Sequence, residues 1–289
     1  MRTISRNLMV VSLFLFWLFW SHFLPAQEAA PAPIDAKTQQ AIVTDISKLL
    51  TENYVYLETA QKMSNRIQER LKSGAYSKLT NPDEFAEAVY NDLESVSNDK
   101  HLGFRFAPQR AAEILKNQSK SETETKQARE AELAEGRREN FGFQTVQHLQ
   151  GNIGYLNLLQ FADAADGGEA AIAALTLLSH CDAIIIDLRQ NGGGDPTQIQ
   201  LISSYFFAEP THLNDLYYRN QDKTENYWTF RYVPGTRLDK ADLYILTSKY
   251  TFSGAEEFSY NMKSLKRATL IGETTGGGAH PTDPYIVQA

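Results

Sequence analysis

Apolar side chains recur at helical spacing after the first thirty residues: Ile42, Ile46, Leu49 and Leu50, then Met63, Ile67 and Leu71. This spacing predicts two amphipathic helices. A third is announced by Asn81 ahead of Pro82, with Asp83 and Glu84 in its first turn and Phe85, Val89 and Leu93 along one face. Those are the marks of a capped helix start with acids at its positive end. Residues 34–106 therefore read as a helical bundle that closes with a short strand at Leu102–Phe106 and packs on, or roofs, the C-terminal part of the chain. From Ala107 to Asn140 there is no aromatic residue, and charges of both signs crowd Arg129–Glu139. That segment reads as a charged connector, either a solvated helix or a mobile link.

The pattern changes at Phe141. Strands are expected at 154–158, 183–186, 243–246 and 269–271, and helices at 168–178, 196–206 and 254–265. The strand around Ile184–Ile186 is apolar on both faces. Continuous apolar strands alternating with helices predict an α/β region over 141–289 with a largely parallel sheet. In such sheets, ligands and reacting groups gather where strands hand over to helices.

The first residues carry a different signal. Arg2 and Arg6 form a basic start, Leu8–Trp20 an apolar stretch, and Pro25-Ala26-Gln27 a small-residue exit into an Ala/Pro-rich link. This order describes a secretory signal peptide over residues 1–27, with the mature chain starting within Ala26–Ala32. The apolar stretch falls short of the ~20 residues of a membrane span, so no stable span is expected after cleavage. The signal implies a periplasmic or secreted chain. The formal net charge of −7 and the lack of a basic run argue against a nucleic-acid surface. Cys181 is the only cysteine, which excludes an internal disulfide, and its apolar neighbours mark it as a small buried residue.

Two strand-to-helix junctions carry the candidate chemistry. Asp187-Leu188-Arg189-Gln190-Asn191-Gly192-Gly193-Gly194 presents three glycines ahead of a helix. Taken alone, it reads equally as a flexible turn or as a turn whose amides receive an anion. Thr197 stands where a dinucleotide fingerprint needs glycine, and the Gly-Lys-Ser/Thr of a phosphate loop is missing. The second junction, Thr247 to Glu257, places Ser253 where a buried strand gives way to a helix. Ser253 there is either a helix cap or an exposed nucleophile beside a positive helix end. No His/Cys/Asp cluster has metal-ligand spacing, so neither metal nor organic cofactor is expected.

The order and separation of these junctions resemble the tail-specific, or C-terminal processing, serine peptidases. Asp187–Gly194 matches the strand end of that family. Ser253–Glu256 matches its Ser-x-x-Glu turn, and Leu270-Ile271-Gly272-Glu273 the strand beyond. The general-base Lys of many members falls here on Gly278, so a Ser–Lys pair is excluded. The Gly277-Gly278-Ala279-His280-Pro281 run, Asp99-Lys100-His101-Leu102 and Asn140-Phe141-Gly142-Phe143 are instead similar to the branch around interphotoreceptor retinoid-binding protein and the tricorn core. The resemblance implies a crotonase-like or ClpP-like α/β core behind the helical bundle, without a PDZ module.

It further implies a peptide or protein substrate, Ser253 as nucleophile, His101 as base, and the amides of Gly193 and Gly254 as oxyanion donors. His280 is the rival base. The acid that orients the base in tricorn-like relatives lies past Ala289, and Asp99 is the local substitute. On this ground the chain is expected to be incomplete as an enzyme, with Tyr285-Ile286-Val287 opening a further strand. A non-catalytic module that binds a hydrophobic ligand or a peptide is the alternative on the same scaffold. The oligomeric state is not legible.

Overall fold

The computed structural model describes residues 31–278, 280 and 282–287; the predicted signal peptide lies outside them. Residues from Pro33 onward form one compact unit. Among the described residues, no helix is long and apolar enough to cross a membrane.

The bundle consists of α1 (Ala36–Asn53), α2 (Leu57–Lys72) and α3 (Pro82–Ser97). Asp35 caps α1 by accepting from the Thr38 amide at 2.8 Å, and Asn81 caps α3 by accepting from the Asp83 amide at 2.8 Å. These caps satisfy amides that the helices leave open. Val43, Ile46, Met63, Ile67, Phe85, Val89 and Leu93 fill a shared core with Tyr76. Burial of each large side chain contributes ~1.5–3 kcal/mol. The Tyr76 hydroxyl donates to Asp92 at 2.7 Å, and Arg66 and Arg70 flank the same carboxylate.

Two expectations need correction. Leu102–Phe106 forms no strand; Leu102 and Phe104 pack against the bundle core instead of pairing along a sheet edge. Tyr285–Val287 also forms no strand, because Val287 packs on that same bundle core. The charged connector is helical: α4 (Pro108–Gln118) and α5 (Glu122–Arg138), the latter started by a reciprocal Ser121–Glu124 cap and burying no residue.

The remainder contains β1 (Phe143–Leu149), β2 (Ile153–Leu158), α6 (Ala164–Leu177), β3 (Ala183–Asp187), α7 (Pro196–Ser204), β4 (His212–Tyr218), β5 (Lys223–Trp228), β6 (Asp242–Thr247), α8 (Gly254–Ser264) and β7 (Ala268–Gly272). Five strands make one sheet in the order β1-β2-β3-β6-β7. β1 runs antiparallel to β2, and the other neighbours are parallel. Leu156, Ile184, Ile186, Leu243, Ile245 and Phe258 lie in its core, as does Cys181, whose thiol is pushed up by burial and by Asp182. The register sets Asp187 of β3 beside Leu246 of β6. Parallel neighbours in that register release their loops at one sheet edge, which brings the two candidate junctions together.

Strands β4 and β5 form a separate two-stranded hairpin. Arg219, at its turn, donates to the carbonyls of Tyr54 (2.6 Å) and Thr51 (2.8 Å). These sit at the end of α1, where carbonyls lack helical partners. The hairpin is thereby tied to the bundle.

Candidate active site

The loops after β3 and β6 are stitched together by buried bonds. The Thr251 hydroxyl donates to the Leu188 carbonyl at 2.8 Å, and the Phe252 amide donates to the Asn191 carbonyl at 3.0 Å. Asn191 is fully buried; its side-chain amide donates to the Leu158 carbonyl at 3.0 Å. The resulting frame sets Gly193 and Gly194 directly against Ser253 and Gly254. A Cβ on Gly193 would lie 2.7 Å from the Gly254 nitrogen and 2.8 Å from the Ser253 Cβ. Gly194, at φ +139°, is pressed onto the Phe161 carbonyl so closely that no side chain fits. The glycines are therefore demanded by close backbone approach, not by flexibility.

Ser253 precedes α8 with φ +51° and ψ −123°. A non-glycine residue held there costs ~1–3 kcal/mol, a strain that persists only where surrounding structure enforces it. Glu256 supplies the enforcement. Its carboxylate accepts from the Ser253 amide (3.0 Å), the Gly277 amide (2.7 Å), the Gly278 amide (2.8 Å) and the Thr275 hydroxyl (2.6 Å). One buried acid thus fixes both the serine turn and the glycine loop after β7.

Of the two amides expected at the oxyanion position, that of Gly254 has no hydrogen-bond partner among the described residues. The Gly193 amide is engaged, donating to Asn191 Oδ1 at 2.8 Å. The neighbouring Gly194 amide has no such partner. Sequence alone could not distinguish the two, since consecutive glycines look alike.

Both candidate histidines converge on this region from opposite ends of the chain. The His101 ring lies 4.4 Å from that of Phe252, the residue before Ser253, and 4.8 Å from that of His280. It also touches Gly278, where a Cβ would collide with it. Among the described residues, neither buried His101 nitrogen has a hydrogen-bond partner. Burial, then the neighbouring His280, hold its pKa below the usual imidazole value, with Asp99 and Glu256 pulling the other way. His280 Nε2 meets Asp99 Oδ2 at 3.0 Å. The same carboxylate accepts from the Tyr54 hydroxyl (2.9 Å) and, through Oδ1, from the His101 amide (2.9 Å). Burial opposes ionisation of Asp99, but the bonds from His280, His101 and Tyr54 outweigh it and hold the acid down at about 2.

Ser253 and Gly254 open onto a cleft shared with Gly194, Pro196, Leu216, Tyr218, Glu257 and His280. Leu216 and Tyr218 arrive on β4, so the hairpin forms one wall. Burial pushes the Glu257 carboxyl above its ordinary range, against a 2.9 Å hydrogen bond from Asn214. Sequence reasoning misses this wall entirely, because His212–Trp228 lacks a clear apolar/polar alternation.

Comparison with known proteins agrees with this architecture. Residues 152–287 match peptidase family S41, and residues 36–140 match the N-terminal domain of peptidase S41 in eukaryotic IRBP. Together these two matches span most of the described chain, which is similar to peptidase family S41 in its C-terminal part and to that family's N-terminal domain before it. It is 30% identical over 98 residues to the tail-specific protease of Haemophilus influenzae, an alignment covering 33% of this chain and 13% of that one. The chain thus spans a small part of the length of that relative. The crystal structure of an inferred peptidase from Parabacteroides merdae superposes with a TM-score of 0.54 at 17% identity, covering 83% of this chain and 77% of the other. The photosystem II D1 C-terminal processing protease aligns at 24% identity over 45% of this chain and 33% of its own, with a TM-score of 0.37.

Proposed function

We propose that the protein is an exported serine-type peptidase acting in the periplasm or outside the cell, with Ser253 as its nucleophile. The observation that carries this reading is the Ser253 turn, strained at the head of a helix and pressed against a glycine loop with two open amides. A helix cap needs none of that strain, and neither does a simple binding module. In the reaction, Ser253 Oγ attacks the peptide carbonyl carbon while an imidazole takes its proton. The amides of Gly254 and Gly194 receive the oxyanion. Collapse breaks the C–N bond, the imidazole returns the proton to the leaving amine, and water releases the acyl group by the same path.

His101 is the proposed base. Burial keeps it neutral and able to accept a proton. Its two unpartnered nitrogens, in a ring against Phe252, are the kind of unsatisfied group that a catalytic role explains. One observation favours His280 as a second reading: it lines the same cleft as Ser253 and is held by Asp99.

Peptide hydrolysis by purified protein tests the proposal. Ser253→Ala is expected to abolish turnover, and His101→Ala to cost of the order of 10²-fold or more, with His280→Ala costing much less. Unchanged turnover in Ser253→Ala would end the proposal, and the reverse histidine ranking would move the base to His280.

A further inference from the structure

We propose that Asp99, His101 and His280 form a binding site for a zinc ion, and that zinc there switches the peptidase off. One ligand atom from each of the three side chains lies within 4.8 Å of the others. Two separations are shorter: 3.0 Å from Asp99 Oδ2 to His280 Nε2, and 3.8 Å from Asp99 Oδ1 to His101 Nδ1. A tetrahedral zinc with bonds of ~2.0–2.2 Å sets its ligand atoms about 3.3–3.6 Å apart. The two carboxylate spacings, one to each oxygen, lie on either side of that value, and the set as a whole reaches up to 4.8 Å, so side-chain rotations that draw the imidazoles together bring all three onto one ion. Two imidazoles and a carboxylate are also a donor set that zinc takes in protein sites with an open fourth position.

A second observation points to the same occupant. The His101 side chain is 9% exposed, and among the described residues neither of its ring nitrogens has a hydrogen-bond partner. A buried imidazole normally satisfies both, so one left unsatisfied calls for a proton donor, an ion or a reacting group. The surroundings suit a dication. The Tyr54 hydroxyl and the His101 amide orient the Asp99 carboxylate from behind, as outer partners orient metal ligands. Glu256 adds a second negative charge nearby, while the Lys100 ammonium is turned to the Gly276 carbonyl at 2.6 Å. The grouping is invisible in the sequence because Asp99 and His280 stand 181 residues apart.

Binding at these residues does not depend on the peptidase reading; inhibition does, since it rests on tying up both candidate bases. The test titrates metal-free protein with Zn²⁺ against a chromogenic chelator, and records the visible spectrum with Co²⁺ in its place. One equivalent of Zn²⁺ is expected, with an intense tetrahedral Co²⁺ spectrum. Affinity should fall at least ~10-fold in His280→Ala and in Asp99→Asn, and stay unchanged in His212→Ala, which alters an exposed histidine. His101→Gln, checked for folding by circular dichroism, should lose affinity in the same way. No binding, or binding indifferent to these changes, would overturn the site. Zinc that binds there yet leaves peptide hydrolysis intact would overturn the inhibition. A metal-free protein that binds zinc but never cleaves peptide would remove the peptidase reading and leave the site standing.

Discussion

The carboxylate of Glu256 accepts a hydrogen bond from the amide of Ser253 at 3.0 Å, one turn of α8 away. The same carboxylate gathers two amides and a hydroxyl from the loop after β7. Hydrogen bonds to a charged group contribute ~1.5–3 kcal/mol each. Glu256→Ala should therefore lower stability by about 3 kcal/mol or more and release the 275–278 loop. Thermal unfolding and amide exchange of Gly277 and Gly278 check this; an unchanged melting temperature would contradict it.

Ser253→Gly should stabilise the protein while Ser253→Ala does not. Glycine adopts φ +51° without strain, whereas alanine keeps the strained backbone and only loses the hydroxyl. The expected gap between the two variants is about 1 kcal/mol in favour of glycine. Chemical denaturation of both measures it. Equal stabilities would mean that the turn is not strained.

Gly193→Ala and Gly194→Ala should separate in their effects. At Gly194 a Cβ runs into the Phe161 backbone, so the substitution should cost several kcal/mol, in the upper range for single changes of about 4 kcal/mol. At Gly193 the new methyl meets the Gly254 nitrogen and Ser253 Cβ. It should push the loop, and with it the Gly194 amide, off the serine turn and cut turnover by about 10²-fold or more, the loss expected when one oxyanion donor is displaced. Denaturation midpoints and peptide turnover, measured side by side, decide the matter.

Much of this site can be read from the sequence because its chemistry sits at the ends of strongly patterned strands. Ile184–Ile186 and Leu243–Leu246 announce buried strands, and the motifs Asp187–Gly194 and Ser253–Glu256 come directly after them. What cannot be read is long-range or weakly patterned. Nothing local in Asp99 or His280 signals that they meet. The β4–β5 hairpin mixes aromatic and polar residues on both faces, with Tyr217 and Trp228 exposed while Leu213 is buried. Leu102 and Phe104 show the alternation of a strand but spend it on the bundle core. The start of α6 at Ala164, set by the Asp163 side chain accepting from the Ala165 amide, precedes the expected Gly168 because two glycines mask the helical pattern.

Acid should unfold the bundle in a way that Asp92 controls. Burial works to raise the Asp92 pKa, but hydrogen bonds from Tyr76, Arg70 and Arg66 outweigh it and hold it below the ordinary 3.8. A depressed carboxylate contributes stability that is present above the unfolded pKa and lost as pH falls through the folded one. The protein should therefore lose stability below about pH 4, and Asp92→Asn should be less stable at neutral pH with a shallower acid decline. Denaturation curves from pH 7 to 3 give the comparison; parallel declines would contradict it.

The central claim, that Ser253 is an activated nucleophile, is tested most directly by reaction with a fluorophosphonate probe and subsequent peptide mapping. The account predicts a single adduct on Ser253, lost in Ser253→Ala and strongly slowed in His101→Ala. A protein that stays unlabelled, or that carries the adduct on another residue, would contradict it.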